Sequence, residues 1–313
     1  MSEAFIHLSV LGEEAPEALV GDPDGLYVDG TFGRGGHSRR ILEKLSPKGR
    51  LIAFDRDPQA VEVARSWTDP RFTIIHEPFS TMTESLAAIG VHQADGIFLD
   101  IGVSSPQIDD AARGFSFRFD GPLDMRMDPR NNTLTAAEVI NHYTEAGLTR
   151  VLRVYGEEKW AARIAKTVVR QRAKAPVETT LQLVDIVKQA IPAADRRQGG
   201  HHPARRTFQA LRIEVNHEMD ALKQGLEAAV RWLNPGGRIC VISYHSLEDR
   251  IVKDLFRELS QTCTCPPGLP VCVCGCVPVL ELQERKPRVP KPEEVERNPR
   301  SRSAKIRSAR KLG

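Results

Sequence analysis

Hydrophobic and polar positions along the first third of the chain switch between two periods. Leu26-Tyr-Val-Asp29, Arg50-Leu-Ile-Ala-Phe-Asp55, Phe72-Thr-Ile-Ile-His76 and Gly96-Ile-Phe-Leu-Asp100 are short apolar runs. Runs of this length, rich in branched and aromatic residues, read as strands buried on both faces. Between them lie helical stretches, Ser38 to Leu45, Pro58 to Trp67 and Met82 to Ile89, joined by short connections. Apolar strands alternating with amphipathic helices predict an α/β fold: a parallel sheet covered on both sides.

The pattern then breaks. From about Ser105 to Arg212 no buried-strand run occurs. A Phe-rich loop, Gly114-Phe-Ser-Phe-Arg-Phe-Asp-Gly-Pro122, opens this region, and helical stretches follow at Thr135 to Asn141, Glu145 to Tyr155, Glu157 to Arg172 and Thr180 to Ala190. We read it as a helical domain inserted into the sheet domain. The α/β pattern resumes with a helix from Ile213 to Leu233, the turn Asn234-Pro-Gly-Gly237 and a fifth strand, Arg238-Ile-Cys-Val-Ile-Ser243. Leu247, Ile251, Leu255 and Leu259 then recur four apart on one helical face. After Ser260 a Cys/Pro segment leads into a Pro- and Arg-rich tail, expected to carry little regular structure. The domain reading is 1–105 with 213–313 for the sheet domain and its basic tail, and 106–212 for the insertion.

At 313 residues the chain is long enough for a sizeable core. Its composition is that of a soluble globular protein, and no apolar run approaches the roughly 20 residues that span a bilayer. Met1-Ser-Glu-Ala-Phe5 lacks the basic start and apolar stretch of a signal peptide, so the expected location is cytoplasmic. The net charge is only +3, but the basic residues cluster. Arg297, Arg300, Arg302, Lys305, Arg307, Arg310 and Lys311 have no acidic residue among them. Arg163, Lys166, Arg170, Arg172 and Lys174 form a second stretch; Arg196, Arg197, Arg205 and Arg206 form a third. Such clusters suit a polyanion, nucleic acid first. Each is equally readable as a solvated face.

The candidate chemistry begins where the first strand runs into glycines, Asp29-Gly-Thr-Phe-Gly-Arg-Gly-Gly-His37. A strand, a glycine turn and a helix let backbone approach a nucleotide-like ligand. The spacing departs from the dinucleotide fingerprint, because Ser38 stands where its third glycine would be. Asp29 just before the turn suits an S-adenosylmethionine site better. Strand ends are where open α/β sheets hold ligands. Asp55 ends the second strand roughly 20–25 residues past the turn, the place for an acid accepting from ribose hydroxyls, with Asp57 as the alternative. Phe79, past the third strand, either lies on an adenine ring, contributing about 1 kcal/mol, or is an ordinary core aromatic. Asp100 ends the fourth strand and leads into a polar, substrate-facing loop, Ile101-Gly-Val-Ser-Ser-Pro-Gln107.

These segments together resemble one family. Asp29-Gly-Thr-Phe-Gly-Arg-Gly-Gly-His-Ser38, Phe54-Asp-Arg-Asp-Pro58 and Asp100-Ile-Gly-Val-Ser-Ser-Pro-Gln-Ile-Asp109 carry the likeness. So do Arg113-Gly-Phe-Ser-Phe117, Gly121-Pro-Leu-Asp-Met-Arg-Met-Asp128, Arg206-Thr-Phe-Gln-Ala-Leu-Arg-Ile-Glu-Val-Asn216, Ser243-Tyr-His-Ser-Leu-Glu-Asp-Arg250 and Asn298-Pro-Arg-Ser-Arg-Ser303. The chain is similar to the bacterial 16S ribosomal RNA cytosine-N(4) methyltransferases. Ser9 stands where that family usually has proline. The resemblance implies a class I S-adenosylmethionine-dependent methyltransferase fold, Rossmann-like, with the insertion recognising substrate. It implies methylation of the exocyclic N(4) amine of a cytosine in the decoding region of 16S ribosomal RNA, within the small subunit. Cofactor contacts carry over to Gly35, Gly36, His37, Asp55, Phe79, Asp100 and Gln107.

A cytosine amine is a weak nucleophile, because its lone pair is delocalised into the ring. Positioning it against the methyl group lowers the barrier by several kcal/mol, and an acceptor for its N–H helps as the nitrogen becomes positive. Asp100, Ser104 and Ser105 are the candidate acceptors, with Tyr244 and His245 as second choices. DNA amino-methyltransferases carry a Pro-Pro-aromatic motif after this acid; this chain has none. A flipped base could stack on Phe115, Phe117 or Phe119, residues that otherwise pack the insertion. The other readings are a DNA or small-molecule amino-methyltransferase and a non-enzymatic RNA-binding assembly factor; the oligomeric state is left as monomer or homodimer. Cys263-Thr-Cys-Pro-Pro-Gly-Leu-Pro-Val-Cys-Val-Cys-Gly-Cys276 offers two C-x-C pairs and a fifth thiol. That spacing is less diagnostic of zinc than C-x-x-C, and we assign no metal from the sequence. Disulfides are disfavoured in a reducing cytoplasm. Cys240, within the fifth strand, reads as plain core.

Overall fold

The computed structural model describes residues 9–196, 202–263, 265 and 274–313. Residues 1–8, Arg197 of the third basic stretch and Cys272 lie outside them. The chain divides into two units, residues 1–102 with 220–313, and residues 103–219.

The first unit begins with α1 (Glu14–Leu19) and then alternates β1 (Leu26–Asp29), α2 (Gly36–Lys44), β2 (Arg50–Phe54), α3 (Pro58–Arg65), β3 (Phe72–Ile75), α4 (Met82–Ala88) and β4 (Ala94–Asp100). The second unit holds α5 (Ser105–Asp109), α6 (Ala136–His142), α7 (Glu145–Val154), α8 (Ala161–Arg172), α9 (Thr180–Ala190), α10 (Ala193–Arg196) and α11 (Arg205–Asn216). The chain continues through α12 (Glu218–Trp232), β5 (Leu233–Ser243), α13 (Ser246–Leu259), β6 (Leu280–Leu282), α14 (Pro292–Arg297) and β7 (Lys305–Lys311).

In the sheet the order is β3-β2-β1-β4-β5-β7-β6. The five strands from β3 to β5 are parallel, and β7 runs antiparallel to both β5 and β6. Strand periodicity sorts side chains to two faces. Val28, Ile52, Ile97, Leu99 and Val241 pack with Met82 and Leu86 of α4, Leu222 and Leu226 of α12, and Val252 and Phe256 of α13. Their neighbours Tyr27, Leu51, Phe98 and Ile242 pack on the other face with Leu19 of α1, Ile41 and Leu42 of α2, and Leu45 at its C-cap.

Two expectations are corrected. The stretch read as one helix from Ile213 to Leu233 is two helices, because His217 adopts φ +50 and caps α11 in the left-handed region. The tail is not irregular: β6, α14 and β7 lie within it, and β7 makes the sheet mixed rather than purely parallel. Its charge hid the strand. Only Ile306 and Ala309 of Lys-Ile-Arg-Ser-Ala-Arg-Lys are buried, while Arg307 and Lys305 both donate to Asp249 on α13, at 2.7 and 2.9 Å. Arg310 donates to Glu281 of β6 at 2.7 Å. Arg307 and Lys305 thus tie β7 to α13, and Arg310 pairs it with β6. Burial pushes the Asp249 carboxyl up, but the hydrogen bonds and charges of Arg307 and Lys305 outweigh it and hold the group below the usual carboxylate range.

The helical unit has its own core, built from Leu148, Val151 and Leu152 of α7, Ile164 and Val168 of α8, Leu183 and Val187 of α9, and Phe208 and Leu211 of α11. Its helix starts are written in the sequence: Thr135, Thr144 and Thr179 each accept a hydrogen bond from a first-turn N–H, which supplies partners the helix itself cannot. Of the loop phenylalanines, Phe115 belongs to this core and Phe117 packs against it, stacked on His202 at 4.7 Å. Phe119 is 54% exposed.

Candidate active site

β2, β1 and β4 are neighbours in the sheet, so the acids read at their ends stand side by side along its carboxyl edge. Asp29 is the last residue of β1, Asp100 the last of β4, and Asp55 follows β2 directly. Each is held differently.

Asp29 ties the glycine turn together. Its carboxylate accepts from Thr31 N at 3.0 Å and from Ser38 Oγ at 2.6 Å, joining the end of β1 to the first turn of α2. Burial raises its carboxyl above the ordinary value, against the lowering effect of Ser38. The turn itself returns to the sheet through Gly30 N to Phe98 O and Phe32 N to Phe54 O.

Asp55 is anchored through backbone donors. Gly33 N donates to Oδ2 at 2.7 Å and Asp57 N to Oδ1 at 2.8 Å. Burial nevertheless pushes its carboxyl up to about 6. Asp57, the alternative acid, is instead the N-cap of α3 and accepts from Gln59 N at 3.0 Å.

The glycines serve two purposes. Gly35 has φ +76, and a Cβ there would lie 2.3 Å from the Trp67 ring, so packing as well as conformation requires glycine. Gly33, at φ +55, opens onto empty space: a Cβ would meet nothing within 4 Å. Gly36 opens α2. His37 follows it, buried, its ring 4.6 Å from Phe98.

Asp100 is held through both its backbone and its carboxylate. Its N–H donates to Thr31 Oγ1 at 2.7 Å, and Oδ1 accepts from Tyr244 Oη at 2.9 Å. His37 Nε2 lies 3.5 Å from Oδ2. Burial, and then the Asp100 carboxylate, push the Tyr244 phenol well above its ordinary value, so the hydroxyl stays a donor. Behind it the buried Glu248 accepts from Tyr244 N at 2.7 Å and His245 N at 3.1 Å. His245 faces Glu248, with Nε2 2.9 Å from Oε1, and starts α13 as its N-cap. Of the two second choices, Tyr244 therefore touches Asp100 and His245 does not serve it directly.

Phe79 begins a short 3-10 turn, its ring packed so closely against α12 that a Cβ on Gly225 would sit 2.3 Å from it. Gln107, Ser104 and Ser105 lie in the helical unit. Ser104 is the N-cap of α5, Ser105 opens that helix, and Gln107 Oε1 accepts from Ser104 N at 3.0 Å. Thr31 and Glu248 were not singled out from the sequence. Thr31 lies inside the glycine turn, where a threonine carries no signal of its own, and Glu248 reads as one more acid on a helix.

A cofactor with ribose hydroxyls and charged ends fits what is present. Asp55 and Asp100 offer acceptors along one edge, the turn is open at Gly33, and neither buried ring nitrogen of His37 is hydrogen-bonded among the described residues. Five parallel strands followed by an antiparallel β7, with a glycine turn after β1 and an acid after β2, define the class: an S-adenosylmethionine-dependent methyltransferase. The profile of the MraW methylase family matches residues 4–312, and the chain belongs to that family. It is 53% identical over 312 residues to a ribosomal RNA small subunit methyltransferase H of Symbiobacterium thermophilum, covering 99% of this chain and 98% of the relative. A protein of the same name from Geobacter sulfurreducens is 54% identical over 314 residues, covering 98% and 99%. Another, from Clostridioides difficile, is 50% identical over 311 residues, covering 98% and 99%. Among the described residues no helix is long and apolar enough to cross a membrane.

Proposed function

We propose that this chain methylates the exocyclic N(4) amine of a cytosine in the decoding region of 16S ribosomal RNA, acting in the cytoplasm on the small ribosomal subunit. The observation that carries the reading is Asp100, a carboxylate at the end of β4 held by Tyr244 and by Thr31. The names of the relatives supply the RNA.

Bound S-adenosylmethionine supplies an electrophilic methyl group on a sulfonium. The chain's residues then divide the work. Asp55 accepts from ribose hydroxyls, Phe79 borders the adenine, and the first-turn N–H groups around Gly35, Gly36 and His37 face the negative end of the cofactor. Asp100 accepts an N–H of the cytosine amine, which turns the nitrogen lone pair towards the methyl carbon. It would then take the proton that the nitrogen sheds, the methyl group having left the sulfonium as its C–S bond breaks and a neutral thioether departs. Tyr244 keeps the Asp100 carboxylate in place for both steps. The helical insertion recognises the RNA, with the basic stretch of α8 against phosphates and the exposed Phe119 against an extruded base.

The test is mass spectrometry of 16S ribosomal RNA from cells lacking this protein. Loss of one N(4)-methylcytosine, restored by the wild-type chain and not by Asp100→Ala, is expected. An unchanged modification pattern overturns the reading. Labelled-methyl transfer to small subunits, free 16S RNA and DNA in parallel identifies the substrate, and preferential methylation of DNA would transfer the proposal to the DNA enzymes.

A further inference from the structure

Between α13 and β6 the chain runs through a connection that is closed at its base by one backbone bond, Val279 N to Leu259 O at 2.8 Å. Within it the sulfurs of Cys263, Cys265 and Cys274 all lie within 4.8 Å of one another. Cys263 and Cys274 Sγ are 3.9 Å apart. A disulfide needs about 2.05 Å; at 3.9 Å the two sulfurs are unbonded. Three thiolates bound to one tetrahedral zinc at about 2.3 Å stand about 3.8 Å apart, the edge of the tetrahedron.

We infer that Cys263, Cys265 and Cys274 bind a zinc ion that staples the α13–β6 connection. Thiolates are soft ligands, which excludes magnesium and calcium as resident ions. Zinc is favoured among soft metals because it is redox-inert and takes tetrahedral thiolate sites. The local backbone suits a thiolate: Cys265 N donates to Cys263 Sγ at 3.4 Å, a bond to the ligand atom of the kind that orients metal-bound sulfur. Cys276, two residues past Cys274, is held nearby, its Sγ 3.2 Å from the carbonyl of Gln261. It supplies the fourth ligand on exchanging that hydrogen bond for the metal. Each thiol surrenders its proton on binding, so the site fills more tightly as pH rises. Cys240 is the contrast within the same unit: burial pushes its thiol up to about 12, and it stands alone in the β5 core. The inference concerns the fold, and it stands whether or not the RNA reading does.

The experiment uses the full chain, purified with reductant and zinc, with its thiols counted to establish that they are reduced. About one zinc per chain is expected by elemental analysis. After the metal is stripped with a chelator, added cobalt(II) should give the intense sulfur-to-cobalt charge-transfer band of a tetrahedral thiolate site, displaced by equimolar zinc. The Cys263→Ser/Cys274→Ser double variant should lose both the zinc and the band while binding S-adenosylmethionine as the wild type does. A fully reduced wild-type chain that gives no charge-transfer band overturns the proposal. So does a band that persists in the double variant, which would place the metal elsewhere. If the double variant fails to fold, the wild-type cobalt titration decides alone.

Discussion

Tyr244, at the end of β5, donates its phenolic hydroxyl to Asp100, at the end of β4, across 2.9 Å. The two strands are neighbours and their register pairs Asp100 with Ile242, so the sheet itself sets the distance. A neutral donor aimed at one carboxylate oxygen orients the acid without neutralising it.

Tyr244→Phe keeps the ring and deletes that donor. A hydrogen bond to a charged group is worth about 1.5–3 kcal/mol, so kcat should fall about 10- to 100-fold. Affinity for S-adenosylmethionine, measured by calorimetry, should change far less. A variant with wild-type kcat would show that Tyr244 does not position Asp100.

Asp55 should make the cofactor-free protein pH-sensitive in an unusual direction. Its folded pKa, about 6, lies above the ordinary value of 3.8. Between these values the folded state binds the extra proton, so stability is highest below about pH 4 and falls as pH rises through 6. The two-unit gap sets an upper bound of about 3 kcal/mol. Asp55→Asn should therefore melt higher than wild type at pH 7 and match it at pH 4, yet gain no stability from added S-adenosylmethionine. Parallel melting curves across this range, with and without cofactor, check both halves.

Asp249 should behave in the opposite sense. Its carboxyl is held below the usual range, so its contribution is present above pH 4 and is lost as pH falls through the folded value. Asp249→Ala strands Arg307 and Lys305 of β7 and should cost about 2 kcal/mol at neutral pH. Denaturant melts at pH 7 and pH 3 test this; an equal loss at both would mean that packing, not charge, dominates.

Phe115 and Phe119 stand four residues apart and should separate cleanly. Phe115 is 7% exposed and in the core, so Phe115→Ala should destabilise by about 3–5 kcal/mol. Phe119→Ala should leave the melting temperature alone and weaken RNA binding by about 1–3 kcal/mol, the value of one base stacked on an aromatic ring. Equilibrium RNA binding and thermal melts read the two effects independently.

What could be read from the chain follows the physics of burial. The parallel strands were legible because β1, β2, β4 and β5 are largely buried and so mostly apolar, with β3 half-buried at the sheet edge, and the acids at their ends stand out against that background. β7 was not, because its long basic side chains obey partners on α13 and β6 that no local pattern reveals. Likewise, Asp100 was legible as an acid at a strand end and Tyr244 as an alternative acceptor, but their pairing was not, because Tyr244 follows a strand beyond the whole insertion. The cysteines were visible as a spacing, and only the fold showed which three sulfurs converge. Thr31 and Glu248 act through short bonds to backbone and carry no sequence signature of that work.

The place of β7 in the sheet also has a cost during synthesis. β5 is made before its antiparallel neighbour β7, which follows only after α13, β6 and α14. Until then the nascent chain presents β5 as a bare, apolar edge, open to pairing with any other extended chain. The protein is thus most exposed to aggregation in the moments before its final strand arrives, and a stalled or prematurely ended chain would carry that sticky edge permanently.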